Sequence, residues 1–219
     1  MSTIHFASPS PGGSAATRTK TSGVIVLHPW WGLNADVIGF ADRLAERGFE
    51  VAAPDLYDGK IATTVEDAER FSDSVNEDVA DARVLETVEA LLGRIGDPSA
   101  RVGAVGFSFG GAWALWLPAQ RPEVVATVVY YGSIEGPSLT RARTPVLSHF
   151  AEDDPYESPD GVAQFERTLR TAGREVEIDV YPGTGHWFAE PSNAAYDAEA
   201  AELAFERTVT FLDRHLREA

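Results

Sequence analysis

The chain contains no cysteine and a single methionine, its first residue. Without cysteine there can be no disulfide, no thiolate metal site and no cysteine nucleophile. Basic residues are also scarce, with 18 Lys and Arg against 34 Asp and Glu, for a formal net charge of −16. A surface of that sign is repelled by nucleic-acid backbones and anionic membranes, so neither is an expected partner. No apolar run approaches the roughly 18 residues that span a bilayer. The start, Met1-Ser2-Thr3-Ile4-His5, lacks the basic-then-apolar pattern of a secretory signal, which makes the cytoplasm the expected compartment. Internal repeats and coiled-coil heptads are missing too.

What remains is 219 residues of globular composition, 44% apolar and 10% aromatic, enough for one domain over residues 1–219. The stretch up to about Gly23, rich in Ser, Gly, Pro and Thr, reads as a peripheral edge strand followed by a loop. Beyond it, apolar runs rich in β-branched residues recur at Val24 to Leu27, Val51 to Pro54, Val102 to Phe107, Val124 to Tyr131, Val146 to Phe150 and Val176 to Tyr181. Non-alternating runs of this kind fit strands buried on both faces. Helical spacing falls between them, at Ala35 to Arg47, Asp78 to Arg94, Gly110 to Gln120, Gly161 to Thr171 and Ala194 to Leu216, with Asn34 as an N-cap and Gly48 as a stop. The alternation predicts an α/β fold with a mainly parallel sheet and helices on both faces. The acidic, polar stretch Asp58 to Glu77 reads as a surface loop or as a helix bordering a site.

Gly106-Phe107-Ser108-Phe109-Gly110-Gly111 joins a predicted strand directly to a predicted helix. That is the context of a G-x-S-x-G nucleophile elbow, in which a strained turn lifts the serine hydroxyl clear of the sheet. A serine needs a base, and the base an orienting carboxylate. Asp154 lies just past one predicted strand and His186 just past the next, so all three fall at carboxyl ends of strands, where open α/β sheets place their sites. Asp153 is the alternative acid. Ser, Asp, His is also the chain order of α/β-hydrolases. No metal-ligand spacing links His28, Asp153, Asp154 and His186, and no metal is expected.

The turn His28-Pro29-Trp30-Trp31-Gly32-Leu33-Asn34 follows the first buried strand. Pro29 has no N–H, so the amide of Trp30, with that of Phe109, is the expected oxyanion donor pair. Trp30, Trp31, Phe107, Phe109, Trp187 and Phe188 all lie within two residues of these elements and are expected to wall an apolar pocket. Trp113 and Trp116 read as core.

These residues carry a resemblance. Val24 to Asn34, Ala53-Pro54-Asp55-Leu56-Tyr57, Val105 to Gly111, Val129-Tyr130-Tyr131-Gly132 and Gly185-His186-Trp187-Phe188 together resemble the dienelactone hydrolase family of α/β-hydrolases over nearly the whole chain. The resemblance implies cofactor-free hydrolysis of an ester or lactone through an acyl-enzyme, and favours Asp154 over Asp153 as the acid. Tyr130 and Glu190 join the expected substrate contacts. The chain departs from the family pattern in three places: Ser108 stands for the usual cysteine nucleophile, Pro29 for a glutamate that pairs with it, and Glu190 for an arginine that binds a substrate carboxylate. Arg70 is a loose candidate for a second family arginine. The exchange at 190 points to a small, neutral, hydrophobic ester or lactone. A non-catalytic relative that binds a small apolar ligand is the alternative, although such a protein has no need of Ser108, Asp154, His186 and the elbow glycines together.

Overall fold

A computed structural model describes residues 3–9, 22–134, 138–141 and 144–217. Most of the predicted N-terminal loop, residues 10–21, lies outside the described residues. The strands are β1 (Ile4–Ala7), β2 (Gly23–Leu27), β3 (Glu50–Pro54), β4 (Val102–Phe107), β5 (Val124–Tyr130), β6 (Val146–Asp153) and β7 (Val176–Gly185). They form one sheet in the order β1-β3-β2-β4-β5-β6-β7. Only β1 is antiparallel, pairing with β3 at one edge as the expected edge strand. The fold is α/β, as the alternation of runs and helical patterns predicted.

Both faces of the sheet are buried, and the period-two alternation of strand side chains assigns each residue its face. Val24 and Val26 of β2 pack with Val105 and Phe107 of β4 against Val37, Phe40 and Leu44, and against Phe205, Val209 and Leu212. These partners come from α1 (Ala35–Glu46) and α7 (Ala198–Leu216). Ile25 and Leu27, the intervening residues of β2, face Ala80, Val84, Val88 and Leu91 of α3 (Glu77–Ile95), and Trp113, Ala114 and Leu117. Trp113 and Ala114 belong to α4 (Gly111–Trp116), which follows a single 3-10 turn at Ser108–Gly110. Here the sequence expectation of one helix to Gln120 gives way to α4 followed by a second 3-10 turn, Leu117–Ala119. Pro118 has no N–H to continue the ladder.

The polar stretch after Asp58 contains a helix, α2 (Val65–Asp73), capped by the Thr64 hydroxyl, which accepts from the Asp67 N–H at 3.2 Å. The remaining helices are α5 (Ser138–Arg141) and α6 (Pro159–Thr171). The last helix begins at Ala198, later than expected, because the Asp197 carboxylate caps it. Strands β6 and β7 run longer than predicted and shift register between Ala151 and Asp153. Among the described residues no helix is long and apolar enough to cross a membrane.

Candidate active site

β4 lies at the centre of the sheet and ends in the elbow. A Cβ added at Gly106 would lie 2.5 Å from the Gly110 carbonyl oxygen, and one at Gly110 would lie 2.4 Å from that of Leu27. Only hydrogen fits at either position, so the elbow closes on itself and against the end of β2. Ser108 itself is held at φ +45°, in the left-handed region that L-residues avoid. Its hydroxyl is thereby presented beyond the strand end.

The Ser108 hydroxyl lies 3.1 Å from His186 Nε2, and His186 Nδ1 lies 2.7 Å from Asp154 Oδ2. With a carboxylate at Nδ1 the ring proton sits there, leaving Nε2 to accept from the serine. The Asp154 side chain is fully buried. Its other oxygen, Oδ1, accepts the backbone N–H groups of Tyr156 (2.8 Å) and Glu157 (3.2 Å), which fixes the carboxylate plane. Asp153 is exposed and pairs by backbone register with Gly185. The structure therefore brings Ser108, His186 and Asp154 into one hydrogen-bonded chain and leaves Asp153 outside it.

The loop after β2 is fastened by His28, a fully buried ring whose basicity burial lowers to a pKa of about 4. Neutral His28 donates from Nδ1 to the Pro29 carbonyl at 2.6 Å and accepts the Leu56 N–H at Nε2, 3.1 Å. It thus ties the turn carrying Trp30 to the turn after β3. Its ring meets those of Tyr57 and Phe109, with centroids 4.8 and 6.4 Å away. Among the described residues no group of three or more His, Asp or Glu is placed to hold a metal ion.

The aromatic residues separate into two groups. Trp30, Trp31 and Trp187 pack on one another with centroids 5.3 to 5.9 Å apart, and the Trp187 ring lies 4.9 Å from that of His186. Their three indole N–H groups are buried without a hydrogen-bond partner. Phe107 and Phe188, expected in the pocket wall, and Tyr130, expected as a substrate contact, lie instead in the core between the sheet and helices α1 and α7. Phe107 stacks on Tyr130 at 4.6 Å, and the Tyr130 hydroxyl bonds Thr208 Oγ1 at 2.8 Å. For Phe107 and Tyr130, paired in register on β4 and β5, the reason is the strand alternation, which turns both toward α1 and α7.

Two aromatics that sequence reasoning did not assign stand beside the triad. Tyr156, half exposed, rests its ring on His186 (4.9 Å), Trp187 (5.5 Å) and Trp30 (5.8 Å). Tyr131 directly follows β5 at φ +37°, with its ring 4.9 Å from His186. The Pro-aromatic pair after Asp154 was the available signal for Tyr156; nothing in the sequence announces a tyrosine of positive φ.

A cleft of about 490 Å³ opens on the far side of Trp31, which packs on Trp187 beside the triad; it is lined by Trp31, Asn34, Ala35, Ile61, Ala62, Thr63, Glu190, Ser192 and Asn193. None of these residues is basic. Arg70 is exposed on α2, paired with Asp67 and set over the Phe71 ring. Glu190 is only 2% exposed. Burial pushes its carboxyl up to a pKa of about 8, an effect the Tyr131 hydroxyl opposes and the charge of Asp36 reinforces. Burial thus disfavours the negative charge that a glutamate would otherwise bring to this cleft.

The model of the dienelactone hydrolase family matches residues 12–216. The chain belongs to that family. It is 31% identical over 207 residues to Protein usf of Aquifex pyrophilus, covering 89% of this chain and 88% of the relative. To the carboxymethylenebutenolidase of Rhodococcus opacus it is 28% identical over 209 residues, covering 88% and 81%. A solved dienelactone hydrolase-like promiscuous phosphotriesterase from metagenomic libraries superposes with TM-score 0.79 at 21% identity, covering 98% of each chain, a likeness that bears on the fold alone. Family membership makes this dienelactone hydrolase-type protein a carboxylic ester hydrolase.

Proposed function

We propose that the protein hydrolyses a small, uncharged and largely apolar ester or lactone through an acyl-enzyme on Ser108, with His186 as base and Asp154 as its orienter. The observation that carries this reading is the continuous chain from Ser108 Oγ to His186 to buried Asp154, at 3.1 and 2.7 Å. His186 Nε2 takes the serine proton as Oγ attacks the carbonyl carbon. The amides of Trp30 and Phe109 stabilise the oxyanion, and the imidazolium then protonates the departing alkoxide. Water activated by the same ring cleaves the acyl-serine, releases the acid and restores the hydroxyl.

Serine suits this relay because its hydroxyl, unlike a thiol, is not stored as an anion and depends on the His-Asp pair. The strained φ at Ser108 supports a catalytic role over simple ligand binding, since strain of this kind persists where function uses it. Neutral substrates are favoured by a cleft whose lining includes Trp31, Ala35, Ile61 and Ala62 and no cation. Fluorophosphonate labelling with peptide mapping tests the mechanism: the adduct is expected on Ser108 and absent from Ser108→Ala. Full esterase activity in Ser108→Ala would refute it.

A further inference from the structure

Glu190 reaches the cleft from a tight turn four residues past His186, closed by its N–H to the Trp187 carbonyl at 3.0 Å. Among the described residues its carboxyl has one hydrogen-bond partner, the Tyr131 hydroxyl, which donates to Oε1 at 2.8 Å. Tyr131 cannot swing away, because its backbone N–H is fixed to the His149 carbonyl at 2.6 Å and its ring is fully buried against His186 and Phe188. Oε2 is thus the carboxyl atom the fold leaves unused. The other charged group near it is Asp36 of α1, whose carboxylate accepts from the Ser192 N–H at 3.2 Å and the Ser192 hydroxyl at 2.5 Å. The α1 N-terminus nearby is already capped by the Asn34 side chain. Among the described residues no cation offsets a charge on Glu190, so a desolvated carboxyl here favours its acid form, consistent with its raised pKa.

We propose that Glu190 is the specificity-determining group of this cleft: as a protonated acid, fixed by Tyr131, it donates from Oε2 to an acceptor oxygen on the part of the ester remote from the scissile bond, and once ionised it excludes anionic groups there. The inference rests on the proposed ester hydrolysis and adds to it the kind of group the cleft takes. The ligand class is an ester or lactone whose remote end is apolar apart from one uncharged acceptor, such as a carbonyl or ether oxygen. The proton donor is the side chain itself, so selectivity against anions becomes a function of pH.

The test compares two p-nitrophenyl esters of adipic acid, one ending in a free carboxylate and one in its methyl ester, with the uncatalysed rate subtracted. Any pH effect common to the two substrates cancels in the ratio of their kcat/KM values. In the wild type the neutral-to-anionic ratio is expected to rise about tenfold from pH 6.5 to 9.5, with a midpoint near 8. Glu190→Gln keeps a donor and cannot ionise, so its ratio is expected to stay flat. Tyr131→Phe removes the hydroxyl that favours the ionised form, so its midpoint is expected to move upward; with the wild type it tests the proposal even if Glu190→Gln fails to fold. A flat wild-type ratio with Ser108-dependent turnover overturns this inference alone, as does an equal rise in Glu190→Gln. Lack of Ser108-dependent turnover of either ester overturns the underlying reading as well.

Discussion

Substituting Gly110 by alanine tests how closely the elbow and the oxyanion loop are pressed together. The added Cβ would sit 2.4 Å from the Leu27 carbonyl oxygen and 2.7 Å from that of His28, whereas ordinary contact begins at 3.4 Å. Both obstacles are backbone, so no rotamer change relieves them, and the loop must retreat by about 1 Å. Overpacking of this order costs about 1 to 3 kcal/mol of stability. The same retreat would carry the Trp30 amide, the proposed oxyanion donor, out of position, and a displacement of about 1 Å in a catalytic group lowers turnover roughly a hundredfold. The assay is kcat and KM on a short-chain p-nitrophenyl ester beside urea unfolding, with Gly93→Ala as control. No atom lies within 4 Å of the Cβ that Gly93 would gain in α3, so that variant should gain about 0.5 to 1 kcal/mol. If Gly110→Ala keeps both its urea midpoint and its kcat, the close approach does not constrain the site and the oxyanion assignment loses its support.

Asp154→Asn is expected to lower kcat by about 10⁴ through loss of the correct imidazole tautomer, while Asp153→Asn stays within a few-fold; reversed effects in steady-state kinetics would move the acid to Asp153. For stability, Glu190 has a carboxyl raised from 4.5 to about 8, so its contribution is fully present below the unfolded value and is lost as pH rises through the folded one. Glu190→Gln should therefore gain on the wild type between pH 4.5 and 8 and level off above, by at most about 5 kcal/mol, read from urea midpoints against pH. Tyr156→Ala strips a half-exposed ring from His186 and is expected to raise KM several-fold with stability within about 1 kcal/mol of wild type; unchanged KM across a panel of esters would remove Tyr156 from the substrate path.

The glycine-flanked turn at Ser108, the positions of Ser108, Asp154 and His186 at strand ends and the buried parallel strands were legible because each rests on local chemistry: glycines where backbones meet, and apolar runs where both faces are covered. Which face a strand residue takes was harder to read. Phe107 and Tyr130 are adjacent in sequence to residues of the site, yet a half-turn of the strand buries them under α1 and α7. The stretch that forms helix α2 stayed open between a loop and a helix because its apolar face is weak, Ala68 being its one fully buried residue, although Thr64 with Asp67 three residues on was a legible cap. The character of Glu190 could not be read from composition, because a chain of net charge −16 gives no hint that one of its 34 acids is desolvated.

The order of the sheet distributes the triad unevenly over the molecule's rigidity. Ser108 hangs from β4, which is bonded to β2 on one side and β5 on the other. His186 follows β7, which among the described residues ends the sheet, pairs only with β6 and leaves Val180 half exposed. Local opening is cheapest where one flank of a strand has no neighbour. Under mild denaturing stress the base would therefore part from both its acid, carried by the doubly paired β6, and the nucleophile while the central strands stay closed, so that the hydroxyl is still presented but has nothing to take its proton. Substitutions that brace the β7 edge would extend the working range of the enzyme without touching its chemistry, whereas further stabilising β4 would add to the part that already outlasts the rest.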